Sequence, residues 1–340
     1  MATKTGIAWT DATWNPVRGC ERVSEGCRRC YAEILAARHS YPGGWGEGLA
    51  KWITRKDGTK EARWTGVLQT VESLLDAPLR WRKPRRIFVN SMSDIFHDDV
   101  AFEFVDRMFA VMASTARHCY QILTKRPERM LQYMQRVAEG APMAGQRYER
   151  EMREHFDRYK LDFLEGYSIP SPPTPELRFI YDSATMQEKR PRSPDGTTLK
   201  HGFSGGEFHW RGWPLSNVWL GVSAEDQDTF DERITLLLQT PAAVRWVSLE
   251  PLLGHIDLIG KDEQNSALHT YNNRPRLDWG VVGAESGSDF RQMDMEAARY
   301  IIRQFQDAGV PLFVKQDNGP RPGLQGRFTA EEWALKEYPA

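Results

Sequence analysis

From residue 85 onward the chain repeats one pattern: a short, almost wholly apolar run, a cluster of polar residues, then helical periodicity. Arg86–Asn90 (RIFVN) runs into Ser91, Met92, Ser93 and Asp94, and Tyr120–Leu123 (YQIL) into Thr124, Lys125 and Arg126. Val218–Val222 (VWLGV) is followed by Ser223, Glu225 and Asp226, and Arg245–Val247 by Ser248, Leu249, Glu250 and Pro251. Trp279–Gly283 (WGVVG) leads to Glu285, Ser286 and Gly287, and Pro311–Val314 (PLFV) to Lys315 and Gln316. Helical spacing predicts helices over Tyr31–His39, Ala101–Arg117, Arg129–Ala138, Thr229–Gln239 and Met295–Ala308. Strands that are apolar on both faces and alternate with helices imply a parallel sheet covered on both sides. The steps, roughly 30–35 residues each, have the length of a βα unit. With a further strand expected around Ile7–Thr10, the pattern predicts an α/β fold, a partial TIM-type (β/α) barrel of six to seven units.

One crossover, the third, is far longer than the rest. Residues 139–215 read as an insertion or lid, with a charged helical piece at Gln146–Leu164 and a Pro/Ser-rich run after it. The organisation expected is therefore a first barrel part with the cysteine loop (1–138), the insertion (139–215), a second barrel part (216–320) and a C-terminal tail (321–340). Residues 41–66, with Pro42, four glycines before Leu49 and three tryptophans, read as an irregular loop over a cleft. Lys261–Pro275 reads as a second irregular piece.

Composition narrows the function classes. Charged residues at 27% beside 40% apolar ones, with 12 tryptophans, describe a folded chain and argue against disorder. A net charge of −1 gives no global pull toward nucleic acid, which leaves only local basic faces. No apolar run approaches eighteen residues and no secretory leader opens the chain, so no membrane partner and a cytoplasmic location are expected. In that compartment clustered cysteines bind metals or react; they do not form disulfides.

Cys20, Cys27 and Cys30 form a C-x6-C-x2-C loop in which Gly19 and Gly26 each precede a cysteine, while Cys119 stands far off in an apolar run. Three thiolates on one loop can grip one metal centre and leave a position open. A zinc site completed by His39 or His97 is the alternative. In parallel βα folds the chemistry gathers at the carboxyl ends of strands, which here carry Ser91, Ser93, Asp94, Thr124, Lys125, Ser223, Glu225, Glu250, Glu285 and Lys315. Asp94 could equally cap the next helix. Glu250 and Glu285 point to function because an unpaired buried carboxylate is costly, although Lys315 could pair with one of them.

The run WTDATWNPVRGCERVSEGCRRCYAE, followed by NSMSDIFH, LTKRPERM, GVSAEDQ, SLEPLLG, GAESG and FVKQ, resembles an uncharacterised phage and prophage protein family. A three-cysteine loop after the first strand of a partial barrel also resembles the radical S-adenosylmethionine (SAM) superfamily. That resemblance implies a [4Fe–4S] cluster on Cys20, Cys27 and Cys30, with SAM bound at its open iron. It implies cofactor contacts from Ser91–Asp94 and from Ser223 or Glu225, with Thr124 and Lys125 at the neighbouring strand end. It also implies an external electron donor. The first gap holds six residues where the superfamily commonly has three. Arg29 stands where an aromatic residue is frequent, with the aromatic Tyr31 just after the last cysteine and taken as its counterpart. Glu250, Glu285 and Lys315 remain as catalytic candidates.

The segments Trp45, Trp52, Arg55, Trp64 and Trp81, Arg82, Lys83, Arg85, Arg86 interleave basic and aromatic residues, as a nucleic-acid substrate would require. The rival readings are a non-catalytic zinc-stabilised nucleic-acid-binding protein and a metal-dependent hydrolase built on Glu250, Glu285 and Asp94.

Overall fold

The strands form where the apolar runs lie. In a computed structural model that describes residues 5–138, 213–260, 266–287 and 289–339, eleven strands and seven α-helices are present. The strands are β1 (Ala12–Trp14), β2 (Val17–Arg18), β3 (Ala50–Thr54), β4 (Lys60–Trp64), β5 (Gln69–Thr70), β6 (Arg86–Val89), β7 (Cys119–Thr124), β8 (Val218–Ser223), β9 (Val244–Leu249), β10 (Trp279–Gly283) and β11 (Leu312–Gln316). The helices are α1 (Tyr31–Arg38), α2 (Glu72–Leu75), α3 (Phe102–Ala113), α4 (Pro127–Ala138), α5 (Gln227–Gln239), α6 (Met295–Asp307) and α7 (Ala330–Ala334).

Seven strands make one parallel sheet in the order β1-β6-β7-β8-β9-β10-β11, each beside the next of the seven along the chain. That sequential order, with helices on the flanks, is the arrangement of a partial (β/α) barrel. β10 is buried at every position, as expected of a strand covered on both faces. Two contact-defined units divide the chain, Met1–Gln135 with Pro214–Ala340 and, separately, Arg136–Trp213. The expected helical piece Gln146–Leu164 and nearly all of the insertion lie outside the described residues. No helix among the described residues is long and apolar enough to cross a membrane.

Two expectations need correction. The first strand is Ala12–Trp14, not Ile7–Thr10: residues 7–10 form a turn closed by Thr10 N–H donating to the Ile7 carbonyl (3.3 Å), and the ladder starts at Asp11 N–H to the Arg86 carbonyl (3.0 Å). The apolar residues of that turn serve the barrel floor, which outweighs their alternation. Residues 41–66 are not irregular throughout. They contain the antiparallel β3–β4 hairpin, in register from Ala50 opposite Trp64 to Thr54 opposite Lys60.

Rings fill the amino ends of the strands. Trp9 packs on Phe88 (4.7 Å between centroids) and Trp246 (5.2 Å), and Trp279 lies 5.1 Å from Trp246. Tyr338, from beyond α7, stacks on Trp279 at 5.5 Å, and the Trp279 indole N–H donates to the Glu337 carbonyl (2.9 Å). The expected tail is thus part of the floor. Gly221 is required there, because a Cβ would meet the Trp246 ring at 2.5 Å.

Candidate functional site

Side chains alternate along a strand, so one fixed orientation settles the others. Tyr120 on β7 faces the helical layer, its hydroxyl 2.6 Å from that of Thr115. Gln121, Leu123 and Lys125 therefore point to the interior. On β8 and β9 the same register sends Gly221, Ser223, Trp246 and Ser248 inward. The interior is thus aromatic at the amino ends and charged at the carboxyl ends.

The cysteine loop lies against those charged ends. A short 3-10 turn, Glu25–Cys27, carries Gly26, whose Cβ would fall 2.2 Å from the Glu225 carboxylate. Only glycine permits that approach. Fully buried Glu225 bonds the Lys125 ammonium, the Arg233 guanidinium (3.1 Å) and the Ser24 hydroxyl (2.8 Å). Arg233 reaches it from the second turn of α5. A capping box between Asp226 and Thr229 fixes the start of that helix. Two buried cations on one carboxylate make this node costly to break, about 3–5 kcal/mol for loss of one partner.

A second clamp holds the loop from β10. Buried Glu285 accepts from Arg291 through its backbone N–H (2.7 Å) and its guanidinium, and Arg29 stands 3.6 Å away. Arg291 also donates to the Glu25 carbonyl (3.0 Å). Glu285 is therefore engaged in holding the loop.

Asp94 is a hub of the same kind. It accepts from Thr124 Oγ1 (2.8 and 2.9 Å), the Lys125 N–H (3.1 Å), Arg126 Nη1 (3.2 Å) and the Phe96 N–H (2.9 Å). Ser91 Oγ donates to Asn15 Oδ1 (3.1 Å), Ser93 Oγ to the Val17 carbonyl (2.8 Å) and the Tyr31 hydroxyl to the Ser91 carbonyl (2.8 Å). Left-handed backbone at Asn90 (φ 57°) makes the strand-end turn that presents these groups. Across the mouth, Lys315 Nζ meets both Glu250 oxygens (2.5 and 2.8 Å), with Gln316 Nε2 at 3.4 Å. The Ser223 hydroxyl donates to the Glu250 carbonyl (3.3 Å).

The three loop cysteines are free and half-buried, and each feels the charge of another. Burial, helped by Asp94, pushes the Cys20 thiol up to about 12. Burial also raises Cys30, against backbone donors of the first turn of α1, which begins just after it. Burial works the same way on Cys27, but Lys125 and hydrogen bonds around Ser24 outweigh it and bring that thiol below its ordinary value. At Cys20 burial outweighs the nearby Arg126 guanidinium, and at Cys30 it outweighs the backbone donors; a bound metal centre would supply the positive charge that favours both thiolates. Among the described residues no three His, Cys, Asp or Glu side chains stand together as ligands for one metal ion. An iron–sulfur cluster asks less of them, because each cysteine binds a different iron. Three thiols on one loop are the donor type that such a cluster takes.

The histidines named for a zinc site part company. His39 caps the end of α1, nine residues and about 13 Å of helix beyond Cys30, and stacks on Trp45. His97 is buried, and its Nε2, 3.7 Å from Glu21, has no hydrogen-bond partner. The hydrolase trio does not share a centre: Asp94, Glu250 and Glu285 each hold their own cation. The basic–aromatic segments separate as well. Trp81 and Arg85 lie before β6, at the amino ends, with Arg85 over the Trp81 ring (5.2 Å) and Arg86 over Tyr338 (3.9 Å). Trp64 is buried, and Trp45 is half-buried.

Ser24, Arg233, Arg291 and Asn15 escaped sequence reasoning. Arg233 alone left a trace, flanked by Phe230, Ile234 and Leu237 on the buried side of its helix.

A parallel α/β sheet whose carboxyl ends support a thiol-bearing loop is the class that fold and site define. The family model described as "Protein of unknown function (DUF5131)" matches residues 4–327, and the chain belongs to that family. No curated protein and no solved structure matches the chain.

Proposed function

We propose that this chain is a radical SAM enzyme, in keeping with its resemblance to that superfamily and to phage and prophage proteins. The observation that supports the reading most is the seating of the Cys20–Cys30 loop, through Gly26, on the charged carboxyl ends of a sequential parallel sheet. Cys20, Cys27 and Cys30 would hold a [4Fe–4S] cluster. Bound there and reduced by an external donor, it would supply one electron for reductive cleavage of SAM to methionine and a 5′-deoxyadenosyl radical.

The chain's own residues have separable tasks. Lys125 lowers the Cys27 thiol and readies it as a thiolate. Ser24, Glu225 and Arg233 anchor the loop on β8, and Glu285 and Arg291 anchor it on β10. Ser91, Ser93 and Tyr31 present polar groups where the amino-acid part of SAM would lie. Glu250 and Lys315 face each other across the mouth as an acid–base pair available to substrate. The expected cytoplasmic setting would keep the thiols reduced.

His97 supports a second reading: its orphaned Nε2, 3.7 Å from the carboxylate of Glu21, the residue after Cys20, offers an imidazole ligand for a zinc site in a non-catalytic nucleic-acid-binding protein. One experiment separates the two. Anaerobic reconstitution with iron and sulfide should give about one cluster per chain. Its reduced EPR signal should change shape with SAM and vanish in Cys27→Ala. Tight zinc without a cluster, lost in His97→Ala, would establish the second reading, and a cluster indifferent to SAM would refute the first.

A further inference from the structure

The β3–β4 hairpin stands apart from the parallel sheet and pairs with no third strand among the described residues. Between residues 51 and 63 it carries five cations and two carboxylates, in a chain whose overall net charge is −1. Neither carboxylate is free to balance the surface. Asp57 is bound within the turn by the Thr59 N–H (2.9 Å) and hydroxyl (2.6 Å). Glu61 is shared by Arg22 (2.7 Å), Arg55 (2.6 Å) and Arg63 (3.1 Å). Lys51 stands directly opposite Arg63, a like-charge cross-strand pair that Glu61 on the same face offsets in part.

Trp52 breaks the pattern of the other tryptophans in the core. It is 44% exposed, on the ribbon face where Ala50, Ala62 and Trp64 bury the base and Lys60 marks the tip. Lys60 lies on that face and Lys56 in the adjoining turn, whereas Lys51 and Arg63 lie on the opposite face with Glu61, which also holds Arg55. An exposed indole with two lysines at the ribbon tip suits an unpaired base and its phosphates: the ring stacks on any base, and the charges follow the backbone. The hairpin is also joined to the candidate site. Arg22, between Cys20 and Cys27, donates to Glu33 (3.0 Å), Glu61 (2.7 Å) and the Ala62 carbonyl (3.0 Å).

We infer that the hairpin docks single-stranded nucleic acid, with a base stacked on Trp52 and phosphates on Lys56 and Lys60. The strand is then held beside the cysteine loop. The inference does not rest on the cluster chemistry, because binding needs no metal.

Fluorescence anisotropy of the full chain with labelled dT20, read against salt, tests it. Binding should weaken with a logarithmic slope of about −1.4, the value for two phosphate contacts on a single strand. Trp52→Ala should weaken it about 5- to 100-fold, with Trp52→Phe restoring most of the loss. Lys56→Gln with Lys60→Gln should remove nearly all of that slope. All three positions are exposed, and an unchanged thermal melt confirms folding. Absence of binding, tighter binding to duplex, heparin or anionic vesicles than to dT20, or binding indifferent to Trp52 would each overturn it. Failure here leaves the EPR experiment untouched, and failure there leaves this one.

Discussion

The two ends of the parallel sheet are built from opposite materials. At the amino ends Trp9, Trp246, Trp279 and Tyr338 pack ring against ring, and the geometry serves burial. At the carboxyl ends Glu225, Glu250, Glu285 and Asp94 are each desolvated against a cation. A paired buried charge adds little net stability over an apolar residue of like volume, yet it is ruinous to break. One end therefore carries the fold's stability, and the other spends it on placing the cysteine loop.

Variants at each end should fail differently, and three measurements test this. Trp279→Ala removes a fully buried ring and its bond to Glu337; it should cost about 3–5 kcal/mol in chemical denaturation and leave cluster reconstitution per folded molecule unchanged. Loss of reconstitution at full folding would break the division of labour.

Acid sharpens the comparison next. His118, buried at the start of β7 with its Nε2 donating to the Pro78 carbonyl (3.2 Å), is pushed down to about 4 by burial and by Arg117. Between about pH 6.5 and 4 the unfolded chain takes up a proton that the folded chain refuses, so stability is complete above that window and lost as pH falls through it. His118→Gln should remove this contribution. Its stability difference from wild type should shift in the variant's favour by up to about 3 kcal/mol between pH 7 and pH 4. A pH-independent difference would deny the neutral buried imidazole.

The smallest effect on stability belongs to Gly26→Ala. A Cβ there meets the Glu225 carboxylate and must displace the loop. The denaturation midpoint should move by less than about 1 kcal/mol, because the loop is peripheral to the core, while iron incorporation falls to near the level of Cys27→Ala. Normal incorporation would show that the loop finds its place without that contact.

Much of this contrast was legible in the chain. Trp279–Gly283 is the strand that its apolar run predicts, and Lys315 does pair with one of the two glutamates, Glu250. Legibility failed where tertiary packing chose among local options. The run around Trp9 alternates like a strand but plugs the floor. The hairpin hides among glycines and tryptophans, though the Asp57–Gly58 turn between AKWIT and KEARW announces it. The partners of the site carboxylates, Arg233 and Arg291, come from other elements, and no spacing along the chain relates them to Glu225 or to the loop.

β7 and β8 are hydrogen-bonded neighbours, although the chain leaves the sheet after Thr124 and returns only at Val218. Closing so long an excursion is less demanding than it looks, since ring-closure entropy grows with the logarithm of length and each doubling adds only about 0.6 kcal/mol. The joint between these strands is therefore a tolerant port. Sequence can be lengthened, trimmed or exchanged there over evolutionary time, while the barrel wall and the loop seated on Glu225 keep their register.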